Sequence, residues 1–160
     1  MKRLVLVVIC LLPALAFAQK NRATEIIGGV AVIDGDAGFN ISASSGSQWK
    51  HFGLSAYTSF LSAPSRQFSN WTIVGLQMKL LWGSGDLKPY GVFDFGLFNF
   101  QTMKDKVNMR TASLDLGGGV DKTMKNGNSL LIDARFKWLV DYAGERNTIR
   151  VFTVGVGIRF

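Results

Sequence analysis

Asp133, Arg135 and Lys137 stand on alternate positions of one stretch, and Lys79, Asp94, Asp115 and Arg159 occupy comparable settings elsewhere. Carboxylates beside bases can move protons, line an ion path, or neutralise one another as structural pairs. A hydrolase would need a nucleophile with a base in hydrogen-bond reach. His51 is the single histidine, and Ser55, four residues on, is not an expected partner for it. His51 is therefore expected to be a solvated residue at a strand end, and no catalytic residue is assigned. Asp34 and Asp36 carry oxygen ligands that suit a hard cation. However, Asp34-Gly35-Asp36 also suits an ordinary turn, and no further acid follows at ligand spacing, so no metal is expected. Gly117-Gly118-Gly119 lacks the strand–turn–helix context of a phosphate loop. Lys104, Lys106 and Arg110 form a small basic patch, expected to be a solvated loop. No cofactor is implied.

The elements that carry these residues are strands. The last stretch, Thr148 to Phe160, places Phe152, Val154, Val156, Ile158 and Phe160 on one face and Gly155, Gly157 and Arg159 on the other, because successive strand residues point to opposite sides. Ser129 to Tyr142 alternates more cleanly still. Leu130, Ile132, Ala134, Phe136, Trp138, Val140 and Tyr142 oppose Asp133, Arg135, Lys137 and Asp141. Asn126-Gly127 before it is a hairpin signal. Arg110 to Met124, Leu87 to Gln101, Trp71 to Trp82 and His51 to Leu61 read as four more strands. QTMKDKVNMR and SAPSRQFSN read as loops between them. Ile26 to Ile33 and Ala37 to Ser44 read either as two strands around Asp34-Gly35-Asp36 or as one strand and a long loop; the first reading, the better one, completes a count of eight, joined in order by short connections. That count predicts an antiparallel meander with no helix required.

Residues 1–18, MKRLVLVVICLLPALAFA, resemble a cleaved secretory signal, with a basic start, an apolar run and an A-x-A site. The one cysteine, Cys10, lies within it, so residues 19–160 hold no thiol for a disulfide or a metal. The formal charge is +7, but the bases are scattered rather than gathered into a run. No nucleic-acid partner is expected. No stretch after residue 18 is apolar for long enough to be a membrane helix.

Two closed structures fit eight up-and-down strands: a soluble lipocalin-like barrel with an apolar interior, and a membrane barrel with an apolar exterior. Small residues share the parity of the charges at Gly53, Gly96, Gly117, Gly119, Gly155 and Gly157, as a narrow filled interior requires. The strands are long enough to cross a bilayer at a tilt. Rings lie near strand ends at Trp71, Trp82 and Tyr142, where interfacial girdles sit. The expected fold is thus an all-β, eight-stranded antiparallel up-and-down transmembrane β-barrel. Its expected lumen is polar and filled, with Lys79, Asp94, Asp115, Asp133, Arg135, Lys137 and Arg159 inside.

TIRVFTVGVGIRF, KPYGVFDFGLFNF and ASLDLGGGVDKTM resemble strands of small Gram-negative outer-membrane barrels of the OmpA/OmpX-like and opacity types. The resemblance implies an exported outer-membrane protein. It also implies that Phe152, Val154, Val156, Ile158 and Phe160 form a terminal signal read by the barrel-assembly machinery. Outer-membrane lipid and lipopolysaccharide are the implied surroundings, and a monomer the implied state. The implied role is structural or surface-interacting. Some such barrels are lipid-modifying enzymes, but the His-x-Ser pattern of the lipid A deacylases near the C-terminal strands is absent here. A lipid-modifying enzyme and a soluble periplasmic ligand-binding barrel remain as alternatives.

Overall fold

The computed structural model describes residues 22–103, 106–141 and 149–160, and leaves out the side chains of 66, 98, 100–101, 103, 106–111 and 141. The expected signal (1–18), Lys104, Tyr142 and the connection 143–147 lie outside the described residues, as do the side chains of Lys106 and Arg110. Eight strands follow in chain order: β1 (Arg22–Ile33), β2 (Asp36–Gln48), β3 (Phe52–Ala63), β4 (Phe68–Leu81), β5 (Leu87–Met103), β6 (Lys106–Thr123), β7 (Ser129–Asp141) and β8 (Ile149–Arg159). Each pairs antiparallel with the next, and β8 pairs with β1, which closes the barrel. Closure leaves no unpaired sheet edge along the wall.

Tight turns are set by local chemistry. Asp34 and Gly35 both have positive φ, 46° and 94°, as the two-residue primed hairpin turn requires. Asp34 Oδ1 also accepts a hydrogen bond from the Arg150 amide at 3.1 Å. Gly127 has φ 86°, and the Asn126 side chain accepts from the Asn128 amide at 3.1 Å. The hairpin is present at Asn126-Gly127, but only Gly127 has positive φ, so its turn is not the two-residue primed type that the pair favours.

Two expected loops are mostly strand. SAPSRQFSN contains only a short 3-10 turn, Pro64–Arg66, followed by Gln67 with φ 51°. The chain then enters β4 at Phe68, three residues before Trp71. QTMKDKVNMR likewise belongs largely to β5 and β6, the two longest strands at 17 and 18 residues. Its polar composition suggested a loop, but a hairpin paired beyond the wall needs no apolar face.

β4 also departs from strict alternation. Thr72 pairs with Asn99 and Val74 with Phe98, so Ile73 is an extra residue in a bulge. Before the bulge Phe68, Asn70 and Thr72 are buried inward; after it Gly75, Gln77, Lys79 and Leu81 are. An inserted residue reverses parity. Trp71 and Trp82, of opposite parity in the sequence, therefore both lie outside, 52% and 54% exposed.

The outside is mainly apolar. Val30, Ile41, Leu80, Leu116, Ile132, Phe136, Phe152, Val154, Val156, Ile158 and Phe160 are all exposed. The charges are inside. The interior is nonetheless not uniformly polar, which corrects the expectation of a wholly polar lumen. Its far end, beside the Asp34-Gly35 hairpin, is an apolar layer that includes Ile33, Leu61, Phe68, Leu139 and Val151. A second apolar layer, Ile27, Leu81, Tyr90, Val92 and Leu131, lies toward the end that carries Arg22 and Phe160. β7 shows the sandwich in one line. Its inward residues run Leu131, Asp133, Arg135, Lys137, Leu139, apolar at each end and charged between.

Candidate functional site

The charge layer is the one concentration of chemistry in the described structure. Its positions follow from register. Asp94 on β5 lies opposite Asp115 on β6, and Asp115 lies opposite Lys137 on β7. Asp94, Asp115, Asp133, Arg135 and Lys137 are all buried. Arg135 is the hub. Its Nε and Nη2 donate to Asp133 Oδ1 and Oδ2 at 2.6 and 3.0 Å, a two-pronged match to a carboxylate. Its Nη1 donates to Asp94 Oδ2 on the neighbour-but-one strand. Lys137 Nζ lies 3.1 Å from Asp115 Oδ2 and donates to Ser59 Oγ, across the lumen on β3, at 3.0 Å.

Lys79 and Arg159 are placed apart from this hub, nearer the Arg22 and Phe160 end. Lys79 Nζ donates to Glu25 Oε1 at 2.6 Å and sits 3.9 Å from the centre of the Tyr90 ring. Arg159 pairs with Asp121 and donates through Nη2 to Ser129 Oγ at 2.6 Å. Five of the seven expected lumen residues therefore meet in one cluster, and two form separate pairs. Glu25, Asp121, Tyr57 and Tyr90 complete the constellation and were not among the expected site residues. Tyr90 Oη donates to Asp133 Oδ2 at 2.6 Å. Tyr57 Oη lies 3.3 Å from Ser113 Oγ, and its ring fills the space beside Gly75. A Cβ at Gly75 would fall 2.1 Å from Tyr57 Cε1. Glu25 shares the inward parity of Ile27, Ala31 and Ile33, an apolar face that carries no sign of a lumen charge.

Three carboxylates, Asp94, Asp115 and Asp133, meet two bases, Arg135 and Lys137. The bases are engaged by carboxylates, and the cluster lies between two apolar layers. Among the described residues no group of three or more acidic, histidine or cysteine side chains is placed to hold a metal ion. His51 is exposed in the β2–β3 turn, where its described side-chain hydrogen bond runs from Nδ1 to the Leu81 carbonyl at 3.3 Å. Ser55 lies within β3, away from that turn. Asp34 and Asp36 flank the β1–β2 turn. Gly117, Gly118 and Gly119 lie in mid-strand on β6. Phe152, Val154, Val156, Ile158 and Phe160 form one outward row along β8 to its end.

No family model matches the chain, and no curated protein sequence is significantly similar to it. Solved structures are similar in fold. Neisserial surface protein A superposes with a TM-score of 0.72 at 16% identity, covering 86% of this chain and 95% of that one. The N-terminal β-barrel domain of Pseudomonas aeruginosa OprF gives 0.56 at 13% identity, covering 88% and 98%. The outer-membrane enzyme PagL gives 0.50 at 12% identity, covering 85% and 98%. The chain thus has the fold of small eight-stranded outer-membrane barrels.

Proposed function

We propose that this chain is an outer-membrane β-barrel with a structural or surface-interaction role, held in lipid by its apolar exterior and closed to through-flow by its interior. One observation carries this: the sidedness of the wall. Large apolar side chains cover the outside while Asp94, Asp115, Asp133, Arg135 and Lys137 are buried within. Water cannot solvate such an exterior without a large hydrophobic cost, whereas hydrocarbon can. A soluble ligand-binding barrel needs the reverse arrangement. On this reading Arg22, Phe160 and the β2–β3, β4–β5 and β6–β7 turns face the periplasm, and the β1–β2, β3–β4, β5–β6 and β7–β8 connections face outward. Trp71 and Trp82 then lie toward opposite interfaces. The outward row ending at Phe160 fits a signal for the assembly machinery, and lipopolysaccharide would surround the outer half of a monomeric barrel.

The enzyme alternative takes its support from the fold shared with PagL. Fold does not carry chemistry, and His51 here is a turn residue bonded to a backbone carbonyl. The test is electrophoresis of the outer-membrane fraction in SDS, unboiled against boiled. A closed barrel resists SDS and is expected to change apparent mass on heating. A protein that runs at one mass and is recovered in the soluble fraction would overturn the proposal.

A further inference from the structure

The outward wall has a gap near the Arg22 end. Gly28 on β1 lies between Ile26 and Val30 and opposite Val156 of β8. A Cβ built there meets nothing within 4 Å, so the space beside it is open. It floors an apolar groove of about 390 Å³ walled by Ile26, Leu130, Val156, Ile158 and Phe160. The register leads from this groove directly to a base. Ile26 lies opposite Ile158, Ile158 opposite Leu130, and Leu130 opposite Lys122. Lys122 is exposed on the same outward side, with Leu87 on its other flank.

The surrounding rim is basic. Arg22, Lys50 and Lys125 are exposed at this end and Lys88 is half-exposed. Asp86 is the one exposed acidic side chain described there, because Glu25 and Asp121 are buried in ion pairs. An apolar trough within the wall, ending at lysines on the water-facing rim, matches one chemistry: an acyl chain joined to an anionic headgroup. A second copy of the barrel fits less well, since a symmetric contact would set Lys122 and its basic neighbours against their own kind.

We propose that this groove binds one anionic phospholipid, with an acyl chain laid over Gly28 and the headgroup phosphate at Lys122 and Lys125. The proposal rests on the membrane reading above. It is tested by native mass spectrometry of the detergent-purified full chain, offered phosphatidylglycerol or phosphatidylcholine with the same acyl chains. One phosphatidylglycerol should be retained in preference. Lys122→Gln and Lys125→Gln should each weaken that preference by about fivefold. Gly28→Leu has room to fold and should lower retention of both lipids by filling the trough, while leaving the heat-dependent gel shift intact. Equal retention of the two lipids by the native chain, or undiminished retention by Gly28→Leu, would overturn the site. A native chain with no gel shift would instead remove the membrane reading beneath it.

Discussion

Arg135 joins two carboxylates from different strands at the centre of a buried layer. Its loss leaves Asp94 and Asp133 with their charges uncompensated and inaccessible to solvent. Breaking a buried pair from one side typically costs about 3–5 kcal/mol. Arg135→Met is expected to lower unfolding stability by roughly that amount, read as a shift in the urea midpoint of tryptophan fluorescence for protein folded into lipid vesicles. A change below about 1 kcal/mol, the level of a solvated surface pair, would show that the cluster is hydrated and not sealed. The acids and bases of β7 were legible in the sequence because its other face is unbroken hydrocarbon. Glu25 was not. Its own face of β1 is otherwise apolar, since Ile27 and Ile33 belong to the two apolar layers, and β1 therefore lacks a polar side to advertise. Tyr57 and Tyr90 were hidden for a related reason: aromatic residues on a barrel strand suit the lipid face as well as the lumen.

At the scale of the element, the bulge at Ile73 decides which way half of β4 points. Deleting Ile73 would remove the extra residue, and plain alternation would then keep Phe68, Asn70 and Thr72 inward and Trp71 toward lipid. The deletion is expected to retain the heat-shifted band on refolding into detergent micelles; loss of the band would show that the bulge itself is needed to close the barrel. Period-two patterning could not reveal this irregularity, since it assumes constant parity. The same assumption served well in β7 and β8, which have no bulge. β2 was under-read for a different reason. It was expected to end at Ser44 but runs to Gln48, through Ser45, Gly46 and Ser47. Small residues on both faces give no contrast to read, yet they pair as well as any others. The β5–β6 hairpin was mistaken for a loop because charge was taken to exclude pairing, when it excludes only burial.

For the molecule as a whole, the layered interior makes a prediction that pore size alone would not. Asp94, Asp115, Asp133, Arg135 and Lys137 would make a favourable path for ions if they met water at both ends. They do not, because Ile33, Leu61 and Phe68 close one side and Leu81 and Leu131 the other, each at most 2% exposed. Protein reconstituted into planar bilayers is expected to give no resolved conductance steps. Regular steps at neutral pH and moderate salt would mean that one of the apolar layers opens.

The ion pairs also bear on how the barrel can come into being. Glu25 on β1 is neutralised by Lys79 on β4, Asp94 on β5 by Arg135 on β7, and Asp121 on β6 by Arg159 on β8. None of these partners belongs to the same hairpin, and the first and third sets lie near the seam where β8 meets β1. A sheet arrested at six or seven strands would hold bare carboxylates over a membrane with nothing to answer them, and such intermediates are costly in hydrocarbon. Arg159, on the final strand, supplies one of the last missing countercharges. Assembly should therefore be all-or-none, with the charges acting as a checkpoint that only the complete ring can pass.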